Sequence, residues 1–113
     1  MSERGRALSR VRSQVLLVRA LKDRLRGTDG AGADTAYIAD KLRKESRLMI
    51  EYEAQARAHL NGLTPQLYAF AVMYFIAGES LEKTAEAIDR SKRHCMRYKR
   101  ALLREESKGA ENT

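Results

Sequence analysis

The chain has 113 residues, and its 22 Lys and Arg against 15 Asp and Glu give a formal net charge of +7. One proline, no tryptophan and 43% hydrophobic residues exclude collagen-like and low-complexity chains, while the length predicts one domain or two small helical modules. The single cysteine excludes an internal disulfide framework and is typical of a protein in a reducing cytosol.

Two long helices are predicted first. Residues 2–26 have apolar residues every three or four positions, with Lys22 in the one position where the pattern predicts an apolar residue. Three glycines among small polar residues predict a loop over residues 27–36. The same period then continues to Gly62, a typical C-terminal glycine. The predicted stripe residues are Leu8, Val11, Val15, Val18 and Leu25, followed by Ile38, Leu42, Met49, Tyr52 and Ala56.

The similar lengths of these helices predict an antiparallel helical hairpin over residues 1–62. The alternative is a seam with a second copy of the chain, which would make a homodimer through the N-terminal helices. Three shorter helices are predicted over residues 63–104, and residues 105–113 are predicted to be a flexible tail. Each short helix has a polar residue that favours its start, and the predicted caps are Thr64 before Pro65, Ser80 before Leu81 and Ser91 before Lys92. The overall prediction is an all-α fold.

The positive charge is concentrated in two segments. Residues 1–26 have a net charge of +6, and residues 90–104 contain seven basic side chains and no acid. Wound as a helix, the second segment places Cys95, Tyr98, Ala101 and Leu102 on one face and most of its basic residues on the other, with Lys99 at the margin.

A helix with an apolar back and a basic front, following a capped helix and a turn, predicts a helix-turn-helix that binds double-stranded DNA. The alternative is that these basic residues only form the solvent-exposed face of an ordinary helix and bind no ligand. Base contacts in the major groove are assigned to Lys92, Arg93, Met96 and Arg97, in the first turns. Phosphate contacts are assigned to Ser80, Lys83, Arg90, Arg100 and Arg104.

The N-terminal basic residues permit two interpretations. They form the exposed side of a structural helix, or they make a second electrostatic contact with DNA. The first is favoured because the basic positions do not form one stripe. The residues concerned are Arg4, Arg6, Arg10 and Arg12.

No enzyme is predicted, and no metal or other cofactor. His59, His94 and Cys95 are too few and too scattered for a zinc site, and Cys95 has neither a predicted base nor an oxyanion site. The expected role of Cys95 is that of a small buried residue. The apolar run 67–77 is too short to span a bilayer, so no membrane partner is expected.

Two segments of the C-terminal part have a distinctive sequence, residues 74–85, YFIAGESLEKTA, and residues 91–102, SKRHCMRYKRAL. Together they resemble region four of bacterial sigma factors, as it is used by small phage and prophage transcription regulators. The sequence departs from the family at Thr84 and Cys95, where larger aliphatic residues are usual, and at Asp89, where glycine is usual in the turn. The first two departures thin the small core, so the module is expected to depend on the long helices for stability.

The resemblance implies transcriptional regulation, commonly of phage late genes, through promoter DNA in the cytoplasm of a bacterial host cell. It makes host RNA polymerase a second candidate partner, and it implies DNA contacts at Lys92, Arg93, Arg97 and Arg100. Two other functions stay open. A small terminase subunit, which packages DNA, also combines a helix-turn-helix with long helices but assembles as a ring. An adaptor would use the helix-turn-helix to bind polymerase or another protein instead of DNA.

Overall fold

The computed structural model describes residues 2–27 and 32–104, and every regular element within these ranges is a helix. The all-α prediction is therefore confirmed for this part of the chain. The centre of the predicted loop, residues 28–31, and the predicted tail, residues 105–113, lie outside the described residues. The end of the predicted loop is wrong, because residues 33–36 already belong to the second long helix. The elements are α1 (Glu3–Arg26), α2 (Ala33–Ala58), α3 (Pro65–Phe70), a π-helical segment (Ala71–Ile76), α4 (Leu81–Ala87) and α5 (Lys92–Leu103).

The short helices begin where their polar caps were predicted. The side chain of Thr64 accepts a hydrogen bond from the backbone N–H of Leu67, that of Ser80 from Lys83 and that of Ser91 from His94. Each bond satisfies one of the N–H groups that a helix leaves unpaired at its start. These three caps are confirmed.

The sequence predicts one helix from Pro65 to about Ala77, but only its first part, Pro65–Phe70, is α-helical. It changes to π-helical geometry at Ala71, and the N–H of Ala77 donates to the carbonyl oxygen of Val72, five residues earlier, at 2.8 Å. The wider turn lets Tyr74, Phe75 and Ile76 all be buried in succession. An α-helix turns about 100° per residue and would direct one of three successive side chains away from the core.

The chain reverses after this segment at Gly78, which has a φ of +73°. A side-chain Cβ at this position would lie 2.9 Å from Cγ1 of Val15 on α1. Both the left-handed backbone and the close approach to α1 therefore require glycine. Asp89, between α4 and α5, also has a positive φ, of 55°, a left-handed conformation that Asp adopts more readily than most residues other than glycine.

α1 and α2 pack against each other in opposite directions. The side-chain amide of Gln14 donates to the backbone oxygen of Glu45 at 2.9 Å, and Arg10, earlier in α1, lies 5.2 Å from the ring centre of Tyr52, later in α2. The predicted stripe is wrong at one position. Leu21 is buried and Lys22 is exposed.

The spacing of the inward-facing residues on α1 explains this difference. Leu21 is buried three residues after Val18, and Leu25, four residues after Leu21, is half-buried. That spacing is itself helical, so no gap in the stripe remains to be filled.

A single core cluster contains side chains from the long helices and from the short ones. Its members include Leu8 of α1, Ala56 of α2, Phe70 of α3 and Leu102 of α5. Thr84 is also fully buried, and its hydroxyl donates to the backbone oxygen of Ser80 at 2.8 Å. Within the described residues, every buried side-chain nitrogen or oxygen has a hydrogen-bond partner.

Candidate nucleic-acid interface

The inner face of α5 is held by both apolar and polar contacts. Cys95 and Leu102 are completely buried. The hydroxyl of Tyr98 donates to Oε1 of Gln66 on α3 at 2.8 Å, and its ring lies 5.8 Å from the ring of Phe70. These contacts fix which side of α5 faces the protein, and therefore which side faces solvent.

The outer face of α5 is a stripe of four exposed arginines with spacings of four, three and four residues. The stripe extends over about 16 Å, because an α-helix rises 1.5 Å per residue. Within residues 2–27 and 32–104, none of the four guanidinium groups forms a hydrogen bond or an ion pair. We call this surface the arginine stripe, and it consists of Arg93, Arg97, Arg100 and Arg104.

The other residues expected to contact bases lie beside the stripe. Met96 is half-buried between it and the core. Lys92 is exposed, but its Nζ lies 3.2 Å from Oε1 of Glu82 on α4. Lys99, placed at the margin by the sequence pattern, is half-buried, and its Nζ lies 5.3 Å from the ring centre of Tyr74.

The phosphate-binding candidates outside α5 have different surroundings. Ser80 is exposed, but its hydroxyl oxygen accepts the backbone N–H of Lys83 at 3.1 Å as the cap of α4. The side chain of Lys83 points into solvent. Arg90 donates to Oε1 of Gln66 at 3.2 Å and to the backbone oxygen of Asp89 at 3.0 Å. Of the three, Lys83 is therefore the one with a charge not engaged by another described residue.

Glu82 is a charged neighbour of this surface that the sequence pattern did not identify. A hydrogen bond from the backbone at the start of α4, together with the neighbouring Lys92, lowers the pKa of its carboxyl group below the ordinary value of 4.5. The charged form is favoured because both groups stabilise a negative charge. Ten residues separate the partners, and only the turn between α4 and α5 brings them together.

Arg4 is the second residue that sequence reasoning missed. Its Nε donates to the carbonyl oxygen of Leu102 and its Nη2 to that of Ala101, both at 3.1 Å. Arg4 is half-buried and contacts the last turn of α5 from a position almost a hundred residues away in sequence. No local pattern reveals such a contact. The expectation that Arg4 and Arg12 form an exposed side of α1 is wrong, since both are half-buried, whereas Arg6 and Arg10 are exposed.

Arg12 and Arg19 make the equivalent contact with the π-helical segment. Arg12 donates to the carbonyl oxygens of Tyr74 and Glu79, the latter at 2.9 Å, and its guanidinium lies 3.8 Å from the ring centre of Tyr74. Arg19 donates to the carbonyl oxygens of Ala77 and Gly78. Three arginines of α1 thus donate to carbonyl groups at the end of α5 and at or just after the end of the π-helical segment. The last carbonyl groups of a helix have no partner within that helix.

Other kinds of site have no support in the described part of the chain. Residues 2–27 and 32–104 contain no group of three or more His, Cys, Asp or Glu side chains that could hold a metal ion. Burial raises the pKa of the Cys95 thiol, which favours the neutral and unreactive form. None of the described helices combines the length and apolar composition needed to cross a membrane.

No family model, curated protein or solved structure matches this chain.

Proposed function

We propose that the protein is a sequence-specific DNA-binding regulator of transcription. In this proposal α1 and α2 form a helical hairpin, α4 and α5 form a helix-turn-helix, and α5 enters the major groove of duplex DNA. The observation that supports it most strongly is the arginine stripe, whose four charges face solvent from a helix that buries Cys95 and Leu102 on its opposite side. Such a stripe can bind a polyanion without breaking any contact of the fold.

Each position on α5 has a distinct role in this proposal. Arg93 and Arg97 lie in the first two turns and make paired hydrogen bonds to guanine O6 and N7, and Met96 contacts the apolar edge of a base. Arg100 and Arg104, further along the helix, neutralise phosphates together with Lys83 of α4. Lys92 joins the base contacts only by leaving Glu82, from which its Nζ is 3.2 Å distant.

The resemblance to sigma region four supports the assignment to transcription. Because such regulators act at promoters, host RNA polymerase is the proposed second partner, and phage or prophage genes are the proposed targets. Binding to DNA depends on α4 and α5, and it requires neither the polymerase nor a phage origin of the target gene.

Selection from random duplexes tests this proposal. The wild type should enrich a defined motif, and the double variant Arg93→Ala/Arg97→Ala should enrich none. A matched control removes two exposed charges from α2, in Arg43→Ala/Arg47→Ala, and should keep the motif. If the wild type enriches no sequence, or if both double variants enrich the same motif, sequence readout by α5 is wrong.

The exposed apolar side chains of the long helices are compatible with self-association, which a second candidate, a DNA-packaging small terminase subunit, requires. Tyr37 is 66% exposed and Ile50 65%, and a second copy packed on α1 and α2 would cover such residues. Sedimentation separates the candidates. A regulator is expected as a monomer or as a homodimer through the N-terminal helices, whereas a terminase subunit is expected as a closed ring of many copies.

A further inference from the structure

The C-terminal end of α5 lacks the usual means of helix termination. Arg104, which follows the last helical residue, has an extended backbone with φ −67° and ψ 152°, and not the left-handed conformation of a typical C-terminal cap. The last carbonyl groups of an α-helix have no partner within the helix. Two of them, those of Ala101 and Leu102, instead accept hydrogen bonds from the guanidinium of Arg4.

The two ends of α5 are thus fixed in different ways. The hydroxyl of Ser91 caps its first turn locally. Its last turn is held by the burial of Leu102 and by hydrogen bonds from the guanidinium group of Arg4, at the start of α1. Arg4 also complements the negative end of the helix dipole, because its positive charge lies at the C-terminus.

The residues available for DNA contact lie along the length of this helix. A change in the tilt of α5 alters the direction in which every side chain on the helix leaves the domain, including Arg93 and Arg97 in its first turns. Paired hydrogen bonds to a base edge need the helix axis in one orientation, whereas phosphate contacts tolerate several. The tilt of α5 therefore affects specific binding more than non-specific binding.

We propose that Arg4 is a positioning residue for DNA recognition: its two hydrogen bonds to the end of α5 hold this helix at the tilt that base readout requires. The inference rests on the proposed function, in that α5 is taken as the helix that contacts bases. It adds that α1 is part of the DNA-binding unit, although Arg4 itself contacts no DNA.

The test compares Arg4→Met with Arg6→Met, which removes the same charge from an exposed position half a turn away on α1. Binding is measured by fluorescence anisotropy on a selected duplex and on a random duplex of equal length. Arg4→Met should weaken binding to the selected duplex about tenfold more than Arg6→Met does, a size seen for residues that act without touching the ligand. On the random duplex the two variants should bind equally.

Arg4→Lys serves as the conservative variant and as the substitute if Arg4→Met fails to fold. Lysine keeps the charge but lacks the planar fork, so the ratio of specific to non-specific affinity should lie below that of the wild type. A wild-type ratio in Arg4→Lys, or equal ratios in Arg4→Met and Arg6→Met, would overturn the proposal.

Hydrogen exchange without DNA separates this proposal from the proposed function. The backbone amides of Leu102 and Leu103 should exchange faster in Arg4→Met than in Arg6→Met, while the amides of α3 exchange at the same rate in both. If Arg4→Met does not fold, Arg4→Lys takes its place. Unchanged exchange at the end of α5 would refute the positioning role even if the wild type binds DNA. Faster exchange confined to this end, in a protein that binds no DNA, would leave the anchoring intact and refute only the assigned function.

Discussion

α1 and α5 are both rich in arginine, but three arginines of α1 and the arginine stripe of α5 have opposite surroundings. On α1, Arg12 and Arg19 donate to carbonyl groups at and just after the end of the π-helical segment. On α5, Arg93 and Arg97 point into solvent and bind no other described residue. The number of charges does not distinguish the two helices. What differs is whether unpaired helix-end carbonyls lie within reach, so the same residue type stabilises the fold in one helix and is free for a ligand in the other.

The largest effect on stability is expected for Arg12→Met. The substitution leaves the carbonyl oxygens of Tyr74 and Glu79 without their donor and removes the cation above the Tyr74 ring. We expect the free energy of unfolding to fall by about 2–3 kcal/mol, the usual cost of losing hydrogen bonds to a charged group. Urea unfolding followed by circular dichroism measures it.

The matched control for this variant is Arg97→Met, which removes an exposed arginine of α5. Its free energy of unfolding should stay within about 0.5 kcal/mol of the wild type, as is usual for surface positions. Equal losses in the two variants would show that the contrast between α1 and α5 has no energetic basis.

Arg93→Ala should have the largest effect on DNA binding. We expect a loss of about 1–3 kcal/mol on the selected duplex, with relaxed preference at one base pair, because a paired contact to guanine is lost. Titration of duplexes that differ at single positions measures this change. A uniform loss on all duplexes would instead assign Arg93 to the phosphate backbone.

Arg104→Ala should weaken binding to every duplex alike. Because a phosphate contact releases counterions, the slope of log K against log salt should become shallower by about one. Binding isotherms at four or five salt concentrations give this slope. A loss restricted to one sequence would show that Arg104 contacts a base.

The smallest effect is expected at Glu82, where the charged pair with Lys92 is exposed to solvent. The pKa of Glu82 is lowered in the folded protein, so its charged form contributes stability above the ordinary value of 4.5. That contribution is lost as the pH falls through the lowered value of the folded state. The stability of the wild type relative to Glu82→Gln should therefore be greatest near neutral pH and vanish in acid.

Thermal unfolding of both proteins between pH 3 and 7 measures this difference. Glu86→Gln, on the same helix and also exposed, is the control, since no Lys or Arg among the described residues forms an ion pair with Glu86. A pH dependence that is the same for both variants would show that the pair with Lys92 has no part in it.

Features determined by neighbours in sequence were predictable. The caps at Thr64, Ser80 and Ser91 depend on a hydroxyl three residues from the N–H that it accepts. The burial of Cys95 and Leu102 follows from helical periodicity alone. Such signals lie within one or two turns of helix and need no knowledge of the tertiary structure.

Features determined by distant segments were not predictable. The bonds from Arg4 to α5 join residues at opposite ends of the chain, and the pair of Glu82 with Lys92 depends on the turn between two helices. The π-helical turn follows from the burial of three successive residues, Tyr74 to Ile76, which becomes favourable only once α1 supplies the surface against which they pack. A sequence pattern records which side chains can donate a hydrogen bond but not which carbonyl groups will be near them.

The buried thiol of Cys95 can report on the local opening of α5. A thiol reagent can modify Cys95 only when the helix leaves the core, because the side chain has no exposed surface and its raised pKa disfavours the thiolate. As the only cysteine of the chain, it gives a single labelling rate. That rate measures how often α5 detaches from the core, so the kinetics of alkylation give the frequency of this opening without an engineered probe.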